Sequence, residues 1–157
     1  MSTHAPRERG PVGFPPPVVY VSGLLAALAL ESVAPTPNLP GAVRVGLILA
    51  AVAAMVLLDG RAIVIFRRKR TGIAPWHPTT HLVTDGPYRI SRNPMYLGMT
   101  VTYTALVLTF GWLWGLAMLP LALLVIDRLV IRREEAYLED KYGEEYRRYR
   151  GSVRRWF

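Results

Sequence analysis

The sequence predicts an all-α integral membrane protein with about four transmembrane helices and a C-terminal amphipathic helix on the cytoplasmic side. Three observations carry that expectation. Hydrophobic residues make up 52% of the 157-residue chain and are bunched into long runs. The longest run, residues 95–126, holds no Asp, Glu, Lys, Arg or His across 32 positions, which a soluble helical core does not require. The net charge of +8 is also sorted by loop. Arg67, Arg68, Lys69, Arg70, Arg89 and Arg92 share one segment with a single acid, Asp85, and nine more basic residues follow Ile126 among seven acids. Only Arg44 lies between the first two apolar runs, near the end of that segment. This is the positive-inside pattern. It assigns the N-terminus, the 67–93 loop and the C-terminal tail to the cytoplasm, and it requires an even number of spans. The basic clusters then face anionic headgroups at about 1 kcal/mol each, rather than nucleic acid.

Taken in order, residues 1–17 are polar and proline-rich and read as a flexible leader. Residues 18–157 form one domain. The leader and the missing small-residue cleavage site argue against a cleavable signal peptide. The first span, 18–33, has Glu31 as its only charge and is just long enough for a bilayer core of roughly 20 helical residues. Pro35, Pro37, Asn38, Pro40 and Gly41 make a short outer turn. The second span, 42–66, is interrupted by Arg44, Asp59 and Arg61. Gly23, Ala26 and Ala27 in the first helix, with Gly46, Ala50 and Ala51 in the second, permit close helix approach. The loop 67–93 follows. Asn93 is placed to cap the next helix, and Pro94 suits its first turn because the missing N–H would be unpaired there anyway.

The 95–126 run is too long for one helix, and the Phe110-Gly111-Trp112-Leu113-Trp114-Gly115 stretch divides it into a hairpin. Its arms are spans 94–110 and 112–130, with the tryptophans at the far interface. The fourth helix then leaves the membrane with no clear stop before Gly143, continuing as a C-terminal helix over 131–150. Leu138, Tyr142, Tyr146 and Tyr149 recur at helical spacing there, so the tail is amphipathic and is expected to lie back over the loop. The minimal N-terminus is in the style of a prokaryotic inner-membrane protein.

Two polar clusters stand out. Residues 81–98, HLVTDGPYRISRNPMYLG, are turn-rich and abut a span; Arg132-Arg133-Glu134-Glu135 follows the other arm of the same hairpin. Both arms start and end on one side, so topology alone brings the clusters together. Polar groups with fixed turns at a bilayer surface are costly unless they hold something. Other constellations are weaker. Asp59 and Arg61, two apart on a helix, cannot pair side by side; snorkelling near the helix end is favoured over an inward Asp59 that meets a polar headgroup. His77 and His81 have metal-pair spacing, but Pro78 opposes a helix there and no third ligand is near. No cysteine is present, which excludes disulfides and thiolate metal sites. Soluble nucleotide-binding motifs are likewise missing.

The spacing Gly86, Tyr88, Arg92, Pro94, Tyr96 and Gly98, with Leu82-Val83 before it, resembles the isoprenylcysteine carboxyl methyltransferase and phospholipid methyltransferase superfamily. So does Glu134-Glu135 with Leu138, followed by Tyr142-Gly143-Glu144-Glu145-Tyr146, Tyr149 and Val153. The resemblance runs from about Thr80 onward. It implies an integral-membrane enzyme using S-adenosylmethionine without a Rossmann domain, and no metal. The cofactor pocket would be built on the cytoplasmic side from the loop, the hairpin ends and the C-terminal helix. Carried over position by position, the implied cofactor-binding residues are His81, Leu82, Val83, Gly86, Tyr88, Arg92, Asn93, Pro94, Met95, Tyr96, Glu134 and Glu135. Catalytic candidates are Arg92, Glu134 and Arg128; the group touching the nucleophile is not identified.

The chain also departs from the family pattern. Thr80 stands where the family has His two residues before Leu-Val, and Asn93 replaces the His of an Arg-His-Pro triplet. Val130 stands where the eukaryotic enzymes carry a substrate-side arginine, with Arg128 half a turn away; this weakens the prenylcysteine assignment. The implied acceptor is lipidic, a prenylated carboxylate first, with a phospholipid amine or small hydrophobic acceptor as alternatives. Rival readings are a nicotinamide-dependent membrane reductase, whose extra spans this chain lacks, and a non-catalytic membrane scaffold. Methyl transfer from a sulfonium chiefly requires alignment and exclusion of water.

Overall fold

The computed structural model describes residues 12–69 and 80–156. Among these, every regular element is helical: α1 (Pro17–Val33), α2 (Gly41–Met55), a π-helical turn (Val56–Gly60), α3 (Arg61–Lys69), a 3-10 turn (Gly86–Arg89), α4 (Pro94–Phe110), α5 (Trp114–Ile126), a second π-helical turn (Asp127–Ile131) and α6 (Arg132–Ser152). The π turns join α2 to α3 and α5 to α6 without a break. One helix, Trp114–Ser152, is long and apolar enough to cross a membrane. Pro17–Val33, Gly41–Met55 and Pro94–Phe110 are apolar but shorter; a 17-residue helix rises about 26 Å, just under a hydrocarbon core of about 30 Å. The structure therefore gives one helix meeting the length criterion where the sequence suggested four.

The helices pack crosswise: α1 lies along α5 and α2 along α4, while α4 also touches α1 and α5. Tyr103 of α4 is the central side chain, 1% exposed. Its hydroxyl donates to the Gly115 carbonyl at 2.9 Å, and its ring lies over Gly23, where a Cβ would come within 3.1 Å of the phenol oxygen. Tyr20 tilts against Tyr103 with ring centroids 5.9 Å apart and shares its hydroxyl with Thr100 Oγ1 at 3.0 Å. Gly23 thus makes room for the Tyr103 ring of α4 rather than for α2, whose packing partner is α4. Gly46 makes no close approach, having open space around its Cβ position.

At the end carrying the α1–α2 and α4–α5 connections, Gly111 takes a left-handed conformation (φ 73°) and closes α4, the usual role of glycine just past a helix. The fourth helix accordingly begins at Trp114, two residues later than the span expected from 112. The two connections are stitched together: Thr36 Oγ1 donates to the Gly111 carbonyl at 3.2 Å, and the Trp114 indole donates to the Ala34 carbonyl at 2.8 Å. Glu31 is fully occupied there, accepting from the Thr36 amide and hydroxyl.

Two further expectations are revised. The described end of the leader packs, since Val12 and Pro16 are buried and Phe14 lies against the core of Tyr20, Tyr96, Tyr103 and Ile126; apolar side chains between the prolines supply the contact. Asn93 occupies the N-cap position but makes no side-chain cap bond, because its amide is drawn to the tail instead. Arg61 is exposed, and the side chain of Asp59 lies outside the described residues. His77 and the rest of 70–79 lie outside the described residues, as do 1–11.

Candidate active site at the α4–α6 end

The end of the bundle opposite these connections gathers both polar clusters. Three features place them. The 3-10 turn Gly86–Arg89 starts at a left-handed Gly86 (φ 59°), whose missing Cβ leaves room for Ile65 Cδ1. Pro94 then starts α4 and brings Tyr96 one turn in. The π turn Asp127–Ile131 adds a wide turn before α6, which shifts the helical register ahead of the two glutamates.

Tyr96 donates to Glu134 Oε1 at 2.8 Å. Glu135, 8% exposed, is gripped by the Arg155 guanidinium, with Nε to Oε1 at 3.0 Å and Nη2 to Oε2 at 2.5 Å. The Arg92 Nη2 stands 3.3 Å from the same Oε1. Arg155 also reaches Asp127 Oδ1 at 3.0 Å, and Arg132 Nε holds the other Asp127 oxygen at 2.9 Å. The tail backbone locks the loop as well. Ser91 Oγ and Asn93 Nδ2 both donate to the Arg155 carbonyl at 3.0 Å, and the Arg92 amide donates to that of Arg154 at 3.0 Å. Tyr149 of α6 donates to the Tyr88 carbonyl at 2.7 Å, so α6 does lie over the loop; it bends there at Gly143 (φ 51°, ψ −118°) rather than stopping.

The electrostatics separate the two glutamates. Burial pushes the Glu134 carboxyl up to about 7, the Glu135 charge adds to the rise, and the Tyr96 hydrogen bond partly offsets it. Arg155 is held above its usual value by its hydrogen bonds to Glu135. Burial raises the Tyr146 phenol, with Glu135 reinforcing and Arg92 opposing. Arg92 itself is 10% exposed, and its buried Nε and Nη1 make no hydrogen bond. An orphaned buried donor costs about 1–3 kcal/mol, so this guanidinium is prepared for an acceptor.

Of the residues singled out in the sequence, Tyr88, Arg92, Asn93, Tyr96, Glu134 and Glu135 converge here, with Pro94 buried beneath them. Val83 is buried, and Leu82 and Met95 are half-buried. His81 stays exposed with its ring Nδ1 3.1 Å from Thr80 Oγ1. Arg128 does not join the cluster; it is exposed, and its nearest acid is Asp127 at 3.8 Å. The sequence reading missed Arg155, Ser91 and Asp127. Asp127 had a signal, as the charge that ends the uncharged 95–126 run. Arg155 is one of nine basic residues in the tail and had none.

A carboxyl that titrates near neutrality, adjacent in sequence to a glutamate held by a guanidinium with two unpaired nitrogens, can receive a cationic or hydroxyl group, or take a proton from a neighbouring amine. No solved structure matches this chain. A Haemophilus influenzae (strain ATCC 51907 / DSM 11121 / KW20 / Rd) protein described as uncharacterized is 44% identical over 62 residues, covering 40% of this chain and 98% of its own. The phospholipid methyltransferase family model matches residues 43–145, taking in both halves of the site, and the chain therefore belongs to the phospholipid methyltransferase family.

Proposed function

We propose that this chain is an integral-membrane methyltransferase that uses S-adenosylmethionine to methylate a lipidic acceptor. Membrane placement draws support from the apolar exterior of the helices. Val33 (80% exposed), Leu49 (64%) and Leu25 (61%) point outward, as bilayer-facing residues do and as soluble monomers avoid in quantity. We read spans at 18–33, 42–66, 94–110 and 112–130, with both termini cytoplasmic.

The observation that carries the cofactor reading is the pair of orphaned N–H groups on buried Arg92. The two nitrogens sit on different edges of the guanidinium, so a carboxylate seated there meets one of them and leaves the other for a second acceptor; Glu134 is within the same cluster to receive cationic or hydroxyl groups. S-adenosylmethionine offers both kinds of group, so the residues present fit it. Bound there, it would supply an activated methyl group on a sulfonium whose leaving group is a neutral thioether. The protein's part is to orient and to exclude water. Arg92 anchors, Tyr88 and Tyr96 wall the pocket, and the tail from Val153 onward seals it.

An amine acceptor is favoured by Glu134. Its carboxyl, raised to about 7, can accept the ammonium proton that a carboxylate acceptor would not release. Calorimetric titration of detergent-purified protein with S-adenosylhomocysteine tests the pocket. Micromolar binding is expected, abolished in Glu134→Ala with the helical content intact. Absence of binding to the unaltered protein would refute the reading. Labelled methyl transferred to extracted lipid and stable to mild alkali would mark an amine; alkali-labile label would mark a methyl ester and overturn that choice.

A further inference from the structure

A second cleft opens beside Asp127. It has a volume of about 550 Å³, within the roughly 300–1,000 Å³ of small-molecule sites. Leu97 of α4 and Leu123 and Leu124 of α5 form its apolar lining; further along the same helix the lining changes to Asp127, Arg128 and Arg132, and Trp156 completes it. None of Arg92, Tyr96, Glu134 and Glu135 lines it, so it is separate from the pocket argued above.

The charges are unbalanced. Asp127 is the only acid in the lining, and three guanidiniums already share it: Arg155 on Oδ1 at 3.0 Å, Arg132 on Oδ2 at 2.9 Å, and Arg128 at 3.8 Å. The Arg128 and Arg132 side chains are 59% and 52% exposed. Each guanidinium carries five donors in a fork that matches phosphate oxygens, and most of theirs are turned to the surroundings. A zwitterionic headgroup would bring its own cation into this excess of positive charge. An anionic headgroup would neutralise it.

We propose that this cleft holds one anionic phospholipid that is not the methyl acceptor, its acyl chain along Leu97, Leu123 and Leu124 and its phosphate on Arg128 and Arg132. The lipid's phosphate and the Asp127 carboxylate then compete for Arg128 and Arg132, which leaves Asp127 to Arg155 and ties bilayer composition to the tail that seals the methyl-transfer pocket. The inference rests on the membrane placement proposed above.

Trp156 reports on it. Full-length protein is reconstituted in vesicles containing brominated-chain phosphatidylglycerol or brominated-chain phosphatidylcholine, and fluorescence quenching is compared with that of Trp156→Phe to isolate this residue. Quenching of Trp156 is expected to saturate at a lower mole fraction of phosphatidylglycerol than of phosphatidylcholine. Arg128→Gln should weaken the phosphatidylglycerol effect about fivefold and leave the phosphatidylcholine curve unchanged. Equal quenching by the two lipids, or a preference indifferent to Arg128→Gln, would overturn the proposal. Flotation after an alkaline wash separates the two possible failures. Protein that does not float with the vesicles refutes the membrane placement itself; protein that floats without lipid preference refutes the cleft alone.

Discussion

Replacing Glu134 by Gln preserves the length of the side chain and an acceptor for the Tyr96 hydroxyl 2.8 Å away, while removing its titration. In the folded chain this carboxyl titrates near 7 instead of its ordinary 4.5. Between those two values the folded protein holds a proton that the unfolded chain has released, so stability falls as pH rises through this window and levels off above 7. A difference of that size corresponds to about 3 kcal/mol, and water reaching the partly exposed side chain trims it to about 2. For a chain of this length 1 kcal/mol moves the melting temperature by about 2–4 °C. The expected penalty on the unaltered protein is therefore about 4–8 °C between pH 5 and pH 7.5. The assay is a thermal-unfolding series in detergent on both proteins, where the subtraction removes every other titrating group. Glu134→Gln should gain on the parent steadily across the window. Parallel profiles from pH 5 to pH 8 would refute both the burial of this carboxyl and its suitability as a proton acceptor.

Other substitutions probe the scaffold. Arg155→Ala removes both contacts to Glu135 and one to Asp127, leaving Glu135 with Arg92 alone at 3.3 Å; a loss of about 2–3 kcal/mol is expected, together with faster amide exchange over 91–93, and unchanged exchange there would show that the tail does not clamp the loop. Gly115→Ala would set a Cβ 2.3 Å from Val107 Cγ2 in a packed hairpin. Such overpacking costs about 1–3 kcal/mol, readable as a lower melting temperature, whereas an unchanged value would mean that the α4–α5 approach is looser than described.

Local pattern made much of this architecture legible. Apolar runs bounded by Pro, Gly and Asn marked α1 and α4 nearly to the residue, and topology alone brought Arg92 and Tyr96 to Glu134 and Glu135. What escaped notice is long-range. The bond from Asn93 to the Arg155 carbonyl spans 62 positions, and no periodicity announces a backbone acceptor in an extended tail. Asn93 carried a capping signature, and the tail outcompeted it for the same side chain. Val12 was hidden in a stretch whose prolines suggested that nothing would pack. The π turns were equally silent, since their residues Val56–Gly60 and Asp127–Ile131 read as ordinary helix.

The carbonyls of Arg154 and Arg155 that fasten Ser91, Arg92 and Asn93 have a consequence in time as well as in space. They lie after every apolar helix in the order of synthesis, and domains form as the chain emerges, N-terminal parts first. The hairpins can therefore be inserted and paired while the loop is still unfastened. Under the function proposed above, a nascent chain stalled before residue 154 would carry the paired helices without the carbonyls that fasten residues 91–93.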